Sequence, residues 1–294
     1  MQISTTTYSL KDRIIGLIKL IRPKQWLKNG FVFAPLIFSG ELLKPDALEH
    51  TLIATFFFCV ASSATYIMND IHDIELDRRH PKKSKSRPLA SGLVSKNAAL
   101  VLLIVLYLIL ALGYAVMPKV ILVVASYLSL NLAYTFVLKH KPVIDIFTIA
   151  IGFVLRVIAG AAALNLDPSA WMCVTTLCLA LYLAAVKRRQ ELAQSGSEGR
   201  KVLDKYSVAL VDRYAEMSAT GALLFYSMFV MSTRPGLVIT IPIVLYGLFR
   251  YWYIVEVLDG GESPTDVLFA DWQLMVVVAL WVAACVWVLS GFHL

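Results

Sequence analysis

The stretch Asn97-Ala-Ala-Leu-Val-Leu-Leu-Ile-Val-Leu-Tyr-Leu-Ile-Leu-Ala-Leu-Gly-Tyr-Ala-Val-Met117 carries no charged side chain. At about 1.5 Å of rise per residue, a helix of that length crosses the roughly 30 Å hydrocarbon core of a bilayer. Further runs of the same kind stand at about 51 to 69, 120 to 138, 143 to 164, 169 to 186, 210 to 231, 236 to 255 and 267 to 291. Of the 294 residues, 59% are apolar and 16% charged, against roughly 45–50% apolar in soluble domains; mean hydropathy is +0.71. This excludes a cytosolic enzyme, a disordered chain and a secreted disulfide scaffold, and identifies an all-α polytopic membrane protein. Cys59, Cys173, Cys178 and Cys285 lie inside apolar runs without a CxxC pair, and the five histidines show no metal-ligand spacing. They read as packing residues rather than a disulfide or zinc framework.

Residues 14 to 39 read as one further span, broken at Pro23 and Pro35, which gives nine transmembrane helices in all. No signal peptide competes, because Lys19 interrupts the first apolar run. With the N-terminus inside, the inner segments hold 23 Lys and Arg and the outer ones only Lys44, Lys119 and Arg234. The positive-inside rule therefore predicts an N-in/C-out topology. Acidic residues crowd the same inner face, although Asp and Glu contribute little to topology, so that face needs both signs. The expected organisation is a single transmembrane domain over 1–294, with a disordered tail at 1–12 and cytoplasmic loops at about 70–96 and 187–209 carrying the site.

The second span ends in Tyr66-Ile-Met-Asn-Asp-Ile-His-Asp-Ile-Glu-Leu-Asp-Arg-Arg79. At about 100° per residue, Asn69, Asp73 and Asp77 fall at i, i+4, i+8, and Asp70 joins them at i, i+3, i+7. Carboxylates that close repel unless a cation sits among them. Oxygen ligands without Cys or His suggest Mg²⁺, which takes one or two carboxylates plus substrate phosphates. A solvated acidic helix end paired with Arg78 and Arg79 is the plain alternative. The next segment, Arg78 to Gly92, follows the acids with six cations, Lys85 and Arg87 among them; a Mg²⁺-bridged diphosphate closed over by Lys and Arg uses both signs at once. A second cluster, Tyr182-Leu-Ala-Ala-Val-Lys-Arg-Arg-Gln-Glu191, lies on the same side, with Lys187 and Glu191 on one helical face. Tyr134, Lys139 and Asp145 flank a nearby short loop. Arg156, about three turns into a span, is costly enough at that depth to be functional or paired.

At these residues the chain resembles the UbiA superfamily of intramembrane prenyltransferases. Asn69-Asp70-x-x-Asp73-x-x-x-Asp77 matches the first family motif, NDxxDxxxD, while the second motif, DxxxD, is replaced by Lys187-Arg-Arg-Gln-Glu191. That departure, with Arg22-Pro-Lys-Gln-Trp-Leu-Lys-Asn29, Arg87 to Gly92, Asp145 to Gly160 and Pro264 to Asp271, is similar to a branch of decaprenyl-phosphate phosphoribosyltransferases. The resemblance implies a nine-helix bundle around a lipid-accessible cavity in the bacterial inner membrane, with its active site facing the cytoplasm. It also implies Mg²⁺-dependent transfer of a 5-phosphoribosyl group from phosphoribosyl diphosphate to a polyprenyl phosphate, releasing diphosphate in service of cell-envelope synthesis. Bilayer, lipid phosphate and sugar diphosphate are then the partners, and nucleic acid is not. Under it Asn69, Asp70, Asp73 and Asp77 hold the metal, the three aspartates being catalytic. Lys28, Lys85, Arg87, Lys139 and Arg156 bind phosphoribosyl diphosphate, Lys187 and Arg188 the lipid phosphate, and Tyr134, Asp145, Tyr182 and Glu191 support them. The competing reading within the family is prenyl transfer from a prenyl diphosphate to an aromatic or other small acceptor. A transporter would carry midplane polar groups and an internal repeat, of which only Arg156 is present.

Overall fold

The computed structural model describes residues 9–79, 83–195, 202–258, 260–261 and 264–290. It is all-helical, and no strand occurs among the described residues. Helix α1 (Leu10–Ile21) starts inside the stretch expected to be a tail, because Ser9 and Asp12 form a reciprocal capping box. It stops at Arg22, whose left-handed backbone (φ 53°) turns the chain before Pro23. A 3₁₀ segment (Pro23–Phe33) and the short α2 (Ala34–Ser39) complete the broken N-terminal element. The long α3 (Pro45–His72) is followed by α4 (Ile74–Arg79) and α5 (Lys83–Ser86).

Beyond them come α6 (Lys96–Gly113), α7 (Pro118–Phe136), α8 (Ile144–Ala163), α9 (Ala170–Ser195), α10 (Val208–Thr233), α11 (Ile241–Val257), α12 (Pro264–Ala270) and α13 (Trp272–Leu289). Side-chain caps from Ser95, Ser207 and Asp271 start α6, α10 and α13, and prolines in the first turn start α2, α3, α7 and α11. Seven helices among the described residues are long and apolar enough to cross a membrane. Helix α10 is of spanning length, but Asp212, Arg213 and Glu216 dilute its first turns, and the N-terminal element is broken. The stretch expected as one span at 267–291 divides at Asp271, which caps α13.

α3 and α8 are the most buried spans and α13 the most exposed. α3 packs on α1, the 3₁₀ segment, α6, α7 and α8, and α8 in turn packs on α7 and α9. Small side chains permit this closeness: Ala54, Ala61 and Ala64 on α3, and Ala159, Gly160 and Ala163 on α8 are all buried. At Gly160 a Cβ would lie 2.0 Å from the Val32 carbonyl oxygen, so only glycine lets the 3₁₀ segment lie against α8. That contact brings the polar Arg22-to-Asn29 stretch into the bundle.

Candidate active site

Asn69, Asp70, Asp73 and Asp77 keep helical spacing across the α3–α4 joint. The Asp73 N–H donates to the Asn69 carbonyl and the Asp77 N–H to the Asp73 carbonyl, each at 2.9 Å. Their side chains nevertheless split between two edges. Asp70 and Asp77 share Arg87, whose Nη1 donates to Asp70 Oδ1 at 2.9 Å and to Asp77 Oδ2. Arg22 Nη2 adds a second donor to Asp70 Oδ1 at 2.6 Å. On the other edge, Asn69 Oδ1 accepts from the Thr135 hydroxyl of α7, and Asp73 Oδ1 pairs with Lys139 at 3.3 Å. Lys85 is exposed on α5, two residues before the inward Arg87. Lys82, also counted in the basic segment, lies outside the described residues.

Asp70 is 2% exposed, and its Oδ2 accepts no hydrogen bond from any described residue. A buried carboxylate oxygen left in that state is costly and suits a hard cation. The neighbouring donors Asn69, Asp73 and Asp77 offer only oxygen, which fits Mg²⁺. Among the described residues, no three acidic, histidine or cysteine side chains converge closely enough to hold an ion by themselves. A metal here therefore has to draw further oxygens from its substrate, as Mg²⁺ bound to phosphates does.

The second cluster is built around Arg188, which is 1% exposed. Its Nε donates to Asp145 Oδ2 at 2.8 Å, Nη1 to Glu191 Oε2 at 2.6 Å and Nη2 to the Tyr134 hydroxyl at 3.3 Å. Asp145, fully buried, also accepts from the Tyr206 hydroxyl at 2.7 Å, and that oxygen takes the Val143 N–H at 2.5 Å. Burial and the hydrogen bond to Asp145 push the Tyr206 phenol up, so it remains the donor. Arg188 was expected at a lipid phosphate; it is instead turned inward between two carboxylates. The reason is that α9 runs unbroken through residue 195, which sends Arg188 toward α8 and rotates Lys187, half-buried, about 100° away. Tyr182, expected to support this cluster, packs against Tyr251 and Trp252 with ring centroids 5.7 and 5.9 Å apart. Tyr134 and Thr135 are consecutive on α7 and join the two clusters, one reaching Arg188 and the other Asn69.

Arg156 is 4% exposed and held apart from the acidic motif. Asn29 Oδ1, the Gly152 carbonyl and the Tyr127 hydroxyl accept from it at 2.9, 2.7 and 3.3 Å, and the rings of Phe58, Tyr127 and Phe153 surround it at 4.9–5.4 Å. Arg22, Asn29, Tyr127, Thr135 and Tyr206 carry no role in the sequence reading. Its one available signal was the run of polar residues at Arg22 to Asn29 inside a span.

Acidic and basic clusters thus meet at one set of helix ends of an apolar bundle. The chain belongs to the UbiA prenyltransferase family, whose pattern matches residues 32–265, and it is a membrane-embedded transferase of that superfamily. It is 33% identical to a decaprenyl-phosphate phosphoribosyltransferase of Mycobacterium tuberculosis (strain CDC 1551 / Oshkosh), over 92% of this chain and 93% of that protein. It is equally 33% identical to the protein of that name from Corynebacterium glutamicum, over 92% and 86%. Among solved structures, a UbiA homolog from Archaeoglobus fulgidus bound to GPP and Mg²⁺ superposes with a TM-score of 0.73 at 20% identity, covering 94% of this chain and 99% of that one.

Proposed function

We propose that this chain transfers a 5-phosphoribosyl group from phosphoribosyl diphosphate to a polyprenyl phosphate, releasing diphosphate. The observation that carries this reading is the Arg188 guanidinium lodged between Asp145 and Glu191. It neutralises the second cluster from within, which leaves one acidic motif, at Asn69 to Asp77, for a single metal-bound diphosphate. The full-length similarity to relatives named for this reaction supports the same choice.

Asn69, Asp70, Asp73 and Asp77 would hold Mg²⁺, and Lys85, Arg87 and Lys139 would close on the sugar diphosphate. Bound there, the metal supplies charge neutralisation to the leaving diphosphate. Lys187 would meet the lipid phosphate, with Arg188, Asp145, Glu191 and Tyr134 fixing the helix that carries it. An oxygen of the lipid phosphate attacks the anomeric carbon as the bond to diphosphate breaks, with inversion. The nucleophile is already an anion, so no strong base is required, and catalysis is positioning plus electrostatic stabilisation.

The test is purified protein in detergent with labelled phosphoribosyl diphosphate, a long-chain polyprenyl phosphate and Mg²⁺. Label is expected in the organic phase and is expected to vanish with EDTA. Activity on a prenyl diphosphate and an aromatic acid, with no phosphoribosyl transfer, would replace this reading by the conventional family reaction.

The same proposal includes one nine-span unit in a bacterial inner membrane, N-terminus in and C-terminus out, with α10 and the broken N-terminal element completing the count. The 23-to-3 asymmetry of Lys and Arg supports it. A periplasmic reporter such as alkaline phosphatase is expected to be active when fused after α13 and inactive when fused between α9 and α10. The opposite pattern overturns the orientation.

A further inference from the structure

Val143, the residue just before α8, has φ 68° and ψ −48°. Three residues other than glycine take a positive φ among the described residues: Arg22, Val143 and Asn165. Arg22 ends a helix in the left-handed well, with ψ 63°, and asparagine tolerates that region. Val143 is β-branched and lies elsewhere, at the centre of a γ-turn across which the Ile144 N–H donates to the Pro142 carbonyl at 2.8 Å. This is the strained form of that turn, and a branched side chain makes it costlier. Packing does not repay the cost, because Val143 is 39% exposed. Strain of this kind persists only where the surrounding structure imposes it.

The constraint comes from Tyr206. Valine has no side-chain acceptor with which to cap α8, and the Val143 N–H instead donates to the Tyr206 hydroxyl at 2.5 Å. That hydroxyl donates onward to Asp145 Oδ1 at 2.7 Å, so one phenol ties the backbone before α8 to a carboxylate in its first turn. The phenol is itself firmly mounted. Tyr206 follows the 3₁₀ turn Leu203–Lys205, its N–H donates to the Leu203 carbonyl at 3.0 Å, and its ring is buried in a cluster with Val202, Leu203 and Val211.

The connection between α7 and α8 that ends at Val143 also carries Lys139, which reaches Asp73 at 3.3 Å. Both side chains of that pair are partly exposed, and a pair of this kind returns less than such a turn costs. Lys139 therefore follows the turn and does not fix it. We propose that Tyr206 is a positioning residue: it holds the α7–α8 connection in its strained turn, sets Lys139 against the acidic motif, and so governs the binding of a Mg²⁺-bound diphosphate there. The diphosphate rests on the reading of the motif given above; the hold on the turn does not.

Tyr206→Phe keeps the ring and removes the hydroxyl, while Val143→Gly supplies the residue for which a positive φ carries no steric cost. Amide exchange, melting temperature and calorimetric binding of Mg²⁺ with pyrophosphate are measured in detergent on the unmodified protein, on Tyr206→Phe and on the double variant. Tyr206→Phe is expected to speed exchange at Ile144 and Asp145 by about tenfold or more, with residues 150–160 unchanged, and to lower the melting temperature. It is also expected to weaken pyrophosphate by about three- to fivefold, the scale of one partly exposed cation contact. Adding Val143→Gly is expected to recover most of the protection and affinity but to leave melting below that of the unmodified protein, because glycine keeps the turn without restoring the donor to Asp145. A tyrosine that mattered only for stability would not show that separation. Unchanged exchange in Tyr206→Phe, or losses that Val143→Gly does not recover, overturn the hold on the turn, and faster exchange with unchanged affinity overturns the link to Lys139. Exchange that behaves as expected, in a protein that binds no pyrophosphate before any substitution, retains the hold on the turn and overturns the reading of the acidic motif.

Discussion

Asp73→Asn is expected to lower turnover by roughly 10²–10³-fold, the usual scale for losing one group that stabilises transition-state charge, while the fold is retained. The two effects separate because Asp73 does little for stability. Its ion pair to Lys139, at 3.3 Å, involves side chains 26% and 19% exposed, and its other such neighbour among the described residues, His72 at 3.9 Å, is more exposed still. A partly exposed pair of that kind contributes about 1 kcal/mol or less. Its backbone sits at the α3–α4 joint with φ −93° and ψ 11°, a conformation asparagine adopts readily. As a proposed ligand to the metal on the leaving diphosphate, however, Asp73 cannot be replaced by a neutral amide without loss of charge at the reacting end. Turnover against Mg²⁺ concentration and the melting temperature, measured on one preparation, check this. Wild-type turnover in Asp73→Asn would remove Asp73 from the metal set, and lost turnover with a collapsed melting temperature would make its role structural.

Asp73 was legible in the sequence because helical spacing is a local property: i, i+4 and i+8 share a stripe whatever surrounds them. The apolar runs were legible for the same reason, and most recur as helices within a few residues of their expected ends. The division at Asp271 was not, since a single aspartate in an otherwise apolar run does not signal that it caps a new helix. Long-range pairing was also invisible. Arg156 drew attention by its depth, but its partner Asn29 is 127 residues away in the chain, and Arg22 meets Asp70, 48 residues on, where α1 and the 3₁₀ segment pack on α3. Arg188 was assigned outward because a cation beside Lys187 looks like one patch of charge. Which of two adjacent helical residues faces α8 depends on the rotation of α9, which packing sets. Part of the cytoplasmic loop expected at about 187–209, residues 196–201, lies outside the described residues.

Arg188→Met is expected to destabilise the protein by about 3–5 kcal/mol, the scale for removing one partner of a buried ion pair, whatever it does to turnover. Methionine fills similar volume, so the loss is electrostatic rather than a cavity. The variant leaves Asp145, 0% exposed, with Tyr206 as its remaining side-chain donor, and Glu191 without its guanidinium at 2.6 Å. Asp145→Asn in the same background removes the stranded charge and is expected to recover a large part of the loss, so the two substitutions should be strongly non-additive. Thermal unfolding in detergent of the single and double variants measures that coupling. Additive losses, or an unchanged melting temperature for Arg188→Met, would mean that Arg188 is not the internal counter-ion of this cluster. Asp145 and Glu191 would then be available to a second metal, and the single-motif argument for phosphoribosyl transfer would lose its main structural support.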